Sequence, residues 1–299
     1  MKKFALHFTI LMSFVNTVHS QEWFTSFEVA KRFATVKNKM LFVIWEDSLN
    51  DVYPIAVNND KGKEVFLDLS ENNEIDTLIW EHFIPVLLSE SEYEKFYKKA
   101  KQHEPILSYI NKLNNESIKI MDINGHILNT KNVYKEYDNL SAIVEKYALN
   151  SSFLKQDLLN YSKQPSFTTA FNLGMQYLDY AIVMKKAIRP EVVNLGTIYL
   201  KRAKQFIATN KLEKEQNYIQ LLELTTIKTD LVLDKVRKAN RALKKIDEVS
   251  VADLNQSVYN FLKYTIFKSL NDDKNAALCI DKVTASDLKK ADFILKNNN

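Results

Sequence analysis

The chain has 299 residues, 41 lysines and arginines against 37 aspartates and glutamates, and one cysteine. The basic residues are interleaved with acidic ones, so the formal charge of +4 gives no footprint for nucleic acid. A single cysteine excludes a disulfide within the chain, which leaves apolar burial to stabilise the fold, and this length suggests two domains.

The N-terminus has the pattern of a secretory signal peptide. Lys2 and Lys3 precede an apolar stretch over residues 4–15, and Val18 and Ser20 fit a small-residue cleavage site. The apolar stretch is shorter than the roughly 20 residues of a transmembrane helix. We predict that residues 1–20 are removed after Ser20 and that the protein is exported, periplasmic or secreted, with no transmembrane span in the mature chain. An uncleaved anchor or a buried N-terminal helix is the alternative.

Residues 21–150 alternate between helical and strand patterns, which predicts a mixed α/β sheet covered by helices. Thr25-x-x-Glu28 predicts a capping box at the start of the first helix. Pro85 cannot donate to a ladder, so the strand that contains it is predicted to be an edge strand or a bulged one. The predicted helices span residues 25–37, 73–81, 90–101, 105–113 and 138–148. The predicted strands span residues 40–45, buried on both faces, and residues 83–88.

A hairpin is predicted near the end of this region. Residues 118–121 and 126–128 have the composition of strands, and Asn124-Gly125 between them can supply the positive φ angles of a tight turn. Residues 47–72, with a candidate strand at 64–67, fall outside the alternating pattern. We interpret them as an insertion whose position the pattern does not assign.

Two motifs lie towards the ends of residues 22–150. The first is Trp23-x-x-Ser26-Phe27-x-x-Ala30, followed by Asn38-Lys39 and a strand ending at Trp45, and the second is Ile120-Met121-Asp122-x-Asn124-Gly125-His126-Ile127. They resemble the opening and the closing hairpin of exported thioredoxin-like proteins. The resemblance covers these residues and implies a thioredoxin-like fold and an exported protein.

The catalytic positions that this resemblance implies hold no redox residue. The Cys-x-x-Cys of such proteins corresponds to Leu49-Asn50-Asp51-Val52, and their cis-proline corresponds to Ser117. Dithiol chemistry requires an activated thiolate and a second thiol, and neither leucine nor valine offers one. We therefore predict a redox-inactive domain with no catalytic residue and no cofactor, in which the bond before Ser117 is trans.

Residues 151–299 have an entirely helical pattern, which adds an all-α region to the α/β one. The motif Asn-Leu-Gly-x-x-Tyr-Leu occurs at residues 172–178 and again at 194–200. A glycine inside a helix costs about 1 kcal/mol relative to alanine. Its use at Gly174 and Gly196 therefore predicts that two helices approach each other closely there.

A second repeat lies further along the chain, where the pattern of residues 242–254 recurs at 276–288. The offset is the tetratricopeptide period, so residues 151–299 are predicted to form a tetratricopeptide-like array of helical hairpins. An ordinary helical bundle is the alternative. Within the repeat, Ser250 and Thr284 are predicted to cap the helices that follow. Some tyrosines could line an inner groove that contacts a peptide, with Tyr177, Tyr199 and Tyr259 as the candidates.

No metal site is predicted. His82, His103 and His126 lack the spacing of metal ligands, and the oxygen-rich residues 46–60 lack an ordered calcium-loop pattern, although a hard cation there is an alternative. Cys279 lies on the apolar side of a helical pattern, which favours a buried small side chain over a reactive thiol.

The functional hypothesis is a non-catalytic, exported protein-binding or scaffold protein, not an enzyme, whose partner is a protein or peptide of the cell envelope. The alternative is a folding helper related to thiol-disulfide oxidoreductases and isomerases, which would use Cys279 as a single thiol or act with a cysteine-bearing partner. A purely structural role in a surface assembly is a third hypothesis.

Overall fold

The computed structural model describes residues 22–71, 73–101, 107–131, 137–210 and 212–298. Two small mixed sheets lie in the N-terminal half, and the C-terminal region is helical. The predicted signal peptide and His103 lie outside the described residues. Within the described ranges, no helix combines the length and the apolar character that a membrane crossing requires.

The N-terminal half interleaves helices and strands, as the alternating pattern predicts. Its elements are α1 (Phe27–Lys37), β1 (Leu41–Trp45), β2 (Pro54–Asn58), β3 (Glu64–Asp68), α2 (Asn73–His82), β4 (Ile84–Leu88), α3 (Glu90–Lys101), α4 (Leu107–Asn114), β5 (Lys119–Met121), β6 (Asp138–Asn139) and α5 (Leu140–Tyr147).

The first sheet has the order β4-β1-β5, with β1 parallel to β4 and antiparallel to β5. β1 is its central strand, and every residue from Leu41 to Ile44 is inaccessible to solvent, as expected for a continuous apolar run covered on both faces. β4 lies at the edge, which agrees with the prediction from Pro85. Beyond that edge, Phe24 makes a single parallel bridge with Val86.

The second sheet has the order β3-β2-β6, and residues 47–72 contribute β2 and β3 to it. β2 and β3 form an antiparallel hairpin, and β6 pairs in parallel with β2 at Ile55 and Ala56. The candidate strand at 64–67 is confirmed as β3. The prediction of a helix from residue 138 is wrong by two residues: α5 begins after Asn139, whose side chain accepts a hydrogen bond from the Ala142 amide (2.9 Å).

The hairpin turn after β5 is present but differs in detail from the prediction. Gly125 has a φ of +80°, whereas Asn124 is not among the residues with positive φ. The turn is closed by the amide of Gly125, which donates to the carbonyl of Asp122 (3.0 Å), and the returning strand is reduced to one bridge between Met121 and Ile127.

Of two further local predictions, one is wrong and the other is confirmed. The capping box at Thr25 is wrong, because Ser26 is the N-cap of α1 and no side chain caps it. The trans bond before Ser117 is confirmed, since no described peptide bond is cis.

The C-terminal region consists of helices joined by short turns. They are α6 (Lys155–Lys163), α7 (Phe167–Val183), α8 (Arg189–Asn210), α9 (Glu215–Val232), α10 (Val236–Leu243), α11 (Gln256–Ser269), α12 (Asp273–Ala277) and α13 (Ala285–Asn298).

The predicted close approach of two helices over the paired glycines is confirmed for α7 and α8. A Cβ atom added to Gly174 would lie 2.7 Å from Cγ of Leu200, and one added to Gly196 would lie 2.9 Å from Cβ of Tyr177. Real side chains do not tolerate such distances. Glycine at both positions therefore lets the two backbones pack closely, which explains why the helices accept its lower propensity.

The two copies of the 242–288 repeat differ in structure. Thr284 caps α13 as predicted, because its hydroxyl accepts from the amide of Asp287 (3.1 Å). Ser250 does not cap α11: its hydroxyl donates to the carbonyl of Asp247 (2.7 Å) in a separate short turn, and α11 begins only at Gln256. Each copy of the repeat therefore covers a connection between two helices, but the helix that follows is capped by the predicted residue in the second copy only.

The two halves share one continuous apolar core and are joined by buried polar contacts. The Tyr147 hydroxyl on α5 donates to Oε1 of Glu191 on α8 (2.9 Å), and Nζ of Lys146 lies 2.5 Å from Oε2 of the same glutamate. Near the start of the helical region, the amide of Ser151 donates to the carbonyl of Asn38 (3.0 Å).

Candidate functional site

A cleft of about 710 Å³ opens where the carboxyl ends of β1 and β4 face the second sheet. Trp45 and Leu88, the last residues of these two parallel strands, form one wall. Tyr53 and Pro54 at the start of β2 form the other, and Ser117 lies at the floor before β5. The carboxyl end of a sheet is a common place for a binding site.

The cleft brings together positions that the thioredoxin resemblance singled out. Asp51 and Val52, the end of the Cys-x-x-Cys position, and Ser117, the cis-proline position, all line it. Leu49 instead packs against the core, and Asn50 is exposed with its amide directed to Asp47 (3.4 Å). The lining of the cleft contains no cysteine.

The floor is built on a loop between α4 and β5. The Ser117 hydroxyl accepts from Nζ of Lys112 (2.6 Å) and donates to the side-chain oxygen of Asn115 (2.5 Å). The carbonyl of Asn115 accepts from Nε1 of Trp45 (3.1 Å) and also from Nζ of Lys119. Nζ of Lys119 lies 4.4 Å from the centre of the Trp45 ring.

The buried lysines have weakened basicity. Burial and, to a smaller extent, the charge of Lys112 together lower the pKa of Lys119 to about 6, against the opposing effects of Asp138 and Glu116. Burial also lowers the pKa of Lys112. Because the pKa of Lys119 is lowered in this way, its amine is largely uncharged at neutral pH.

On the opposite wall of the cleft, burial raises the pKa of Tyr53, and the neighbouring Asp138 carboxylate raises it further.

The tyrosines proposed for a peptide groove do not face an open groove. Tyr177 and Tyr199 are at most 1% exposed, and both hydroxyls donate to Oδ2 of Asp122, at 3.1 Å from Tyr177. Tyr259 is buried within the helical region. Since none of these rings is accessible, the expectation of a tyrosine-lined groove is corrected: two of the three join the halves of the protein.

Asp122 is the centre of this junction. Its Oδ1 accepts from the amides of Asn124 (2.9 Å) and His126 (3.0 Å), so the carboxylate closes its own turn while it receives the two tyrosines. Burial raises the pKa of Asp122, and these hydrogen bonds oppose the rise. The His126 ring packs edge-on against Tyr199 (5.0 Å between centroids), a packing role for that histidine.

Cys279 is buried, as predicted from its helical pattern. Its thiol donates to the carbonyl of Asn275 (3.4 Å), and burial raises its pKa. A thiol of raised pKa is a poor nucleophile. In the part of the chain that the structure describes, no cluster of three or more histidine, cysteine, aspartate or glutamate side chains could hold a metal ion.

The chain matches no family model, no curated protein and no solved structure.

The sequence patterns did not indicate the roles of Tyr53, Asp138 and Lys119 at the cleft. One signal was available for the last of these: Lys119 stands between two isoleucines in a predicted strand, where a charged residue would have to be buried.

Proposed function

We infer that the chain is a non-catalytic, exported protein-binding or scaffold protein that holds an extended segment of a partner in the cleft between its sheets. In this proposal the first half is a thioredoxin-like domain without redox cysteines, and the second is a tetratricopeptide-like helical region. The partner is a protein or peptide of the cell envelope. Export rests on the signal-peptide pattern of residues 1–20.

The observation that carries the proposal is the convergence of Asp51, Val52 and Ser117 on one cleft. Ser117 is distant in sequence from the adjacent Asp51 and Val52, and the resemblance to thioredoxin-like proteins selected all three from sequence motifs alone. A cleft at this place with aromatic walls and no thiol supports binding without dithiol chemistry.

The alternative of a single-thiol folding helper has less support. Cys279 lies in the helical region, is buried and has a raised pKa, and it is absent from the lining of the cleft. A role beside a cysteine-bearing partner would still place that partner in the cleft, so the same experiment addresses it.

Site-specific photo-cross-linking in the native cell envelope tests the proposal. A photoreactive phenylalanine analogue replaces Val52, a cleft residue that is 74% exposed, and in a matched variant it replaces Val249, which is 92% exposed in the helical region. Both positions accept a larger side chain because both point to solvent.

We expect light-dependent adducts with one or a few defined envelope proteins from Val52, and none of these adducts from Val249. Circular dichroism of both variants checks that they fold. If Val52 yields no light-dependent adduct, or if Val249 yields the same ones, the cleft is not the binding site and the proposal fails.

A further inference from the structure

The charged side chains among the described residues that line the cleft are all acidic. Its lining includes five carboxylates, and among the described residues no lysine, arginine or histidine lines it. No basic nitrogen of a described residue lies within 4.0 Å of any of the five, so none of them takes part in a salt bridge there. They are Asp47, Asp51, Glu90, Glu116 and Asp138.

The walls between these carboxylates are aromatic and firmly held. Tyr93 packs edge-on against Trp45 (4.9 Å between centroids), and its hydroxyl donates to the side chain of Asn114 (2.8 Å). Tyr137 packs edge-on against Phe66 of β3 (4.5 Å). Rings that are fixed before a ligand arrives cost little entropy on binding.

One carboxylate is also oriented in advance. Oδ2 of Asp138 accepts from the amide of Ile118 (3.2 Å) and lies 3.5 Å from the Tyr53 hydroxyl, which is equally close to the carbonyl of Glu116. A group that enters beside Tyr53 therefore meets a ring, a carboxylate and a carbonyl oxygen together. That set consists of acceptors and π faces, and its complement is a planar cation that donates several hydrogen bonds.

We propose that the cleft recognises an arginine side chain in an extended segment of the partner protein. This rests on the function proposed above and names the chemistry of its ligand. Arginine fits better than lysine, because a guanidinium can stack on a ring while it donates two hydrogen bonds to one carboxylate. Lys112 and Lys119, whose amines contact Ser117 and Asn115 at the floor, supply at most two positive charges against the five carboxylates of the lining.

The test compares two short peptides that differ at one residue. One carries a central arginine, the other carries citrulline, which has nearly the same shape and no charge. Binding of each to the purified protein is measured by isothermal titration at neutral pH. The protein variants are the double substitution Asp51→Asn/Asp138→Asn in the cleft and Asp253→Asn, an exposed aspartate of the helical region, as the matched control.

We expect the citrulline peptide to bind at least about tenfold more weakly than the arginine peptide, since it cannot form charge-assisted hydrogen bonds. The double variant should lose a similar factor for the arginine peptide only, and Asp253→Asn should lose nothing. Equal binding of the two peptides, no binding of either, or an unaffected double variant would each overturn the inference.

This outcome is separable from that of the proposed function. Adducts from Val52 to a segment without arginine or lysine would leave the binding function standing and refute the arginine specificity. An absence of adducts from Val52 would remove both.

Discussion

Replacing Lys119 by methionine should stabilise the protein. The side chain is fully buried on β5, and its pKa falls from the usual 10.5 to about 6. Each pKa unit corresponds to about 1.4 kcal/mol. At pH 7, about 3.5 units below the unfolded pKa, removing the proton on folding therefore costs about 5 kcal/mol.

Part of this gain is offset, because methionine loses the hydrogen bond that the uncharged amine donates to the Asn115 carbonyl. Losing this hydrogen bond costs about 1–2 kcal/mol. We expect Lys119→Met to raise the free energy of unfolding by about 3 kcal/mol at neutral pH.

The pH dependence gives a second signature. The folded-state pKa of Lys119 lies below its unfolded value, so the unfolded chain binds more protons between about pH 6 and 10.5. Stability of the wild type should therefore rise with pH across this window by about 1.4 kcal/mol per unit from this group, and should not change below about pH 6 because of it. The Lys119→Met variant should lose that slope.

Urea titrations followed by tryptophan fluorescence, at several pH values from about 6 to about 8.5, measure both effects. The control is Lys98→Met, since the Lys98 side chain is 74% exposed and paired with Glu94. It should change stability by no more than about 0.5 kcal/mol. A destabilised Lys119→Met variant with an unchanged pH slope would show that the folded state keeps this amine charged, and would refute the reasoning.

Three further predictions concern other parts of the molecule. Tyr199→Phe removes a hydroxyl donor from buried Asp122 and should lower the free energy of unfolding by about 1–3 kcal/mol in urea titrations. Gly174→Ala should lower the melting temperature although alanine favours a helix by about 1 kcal/mol, because its Cβ would meet Leu200; a raised melting temperature would contradict the close approach. Cys279 should react slowly with a thiol reagent until denaturant is added. Rapid labelling of the folded protein would restore the single-thiol alternative.

The first sheet and its helices were predictable because their patterns are local. The run at 40–45 became β1, and the helical spacing at 73–81 became α2, each within one residue of its observed bounds. A continuous apolar run and a 3.6-residue period are properties of the segment itself. The sequence therefore indicated the order of these elements before any pairing was known.

The second sheet was not predictable in the same way. β2 has five residues and begins with Pro54, and β6 has only two, so neither has a period of its own. Residues 138–139 pattern as the start of a helix, and they become a strand only because β2 lies beside them. Their conformation is determined by a partner that is distant in sequence.

The residues of the candidate site also differ in whether a local sequence pattern indicated them. The resemblance to thioredoxin-like proteins selected Asp51, Val52 and Ser117, which line the cleft, whereas no motif indicated the burial of the tyrosines. The repeated Tyr177 and Tyr199 lie in a helical pattern that fits a groove as well as a core. Their burial depends on Asp122, which belongs to the other half of the chain and which no local pattern pairs with them.

These contacts change how the binding hypothesis should be understood. Tyr177 and Tyr199 of the helical half hold Asp122, which directly follows β5. The same short strand begins at Lys119, whose amine contacts Trp45 under the cleft. A three-residue strand thus has the helical half attached at one end and the cleft floor at the other. The helical half is therefore connected to the cleft floor through β5, and in the proposed function the two halves would act together rather than as independent modules.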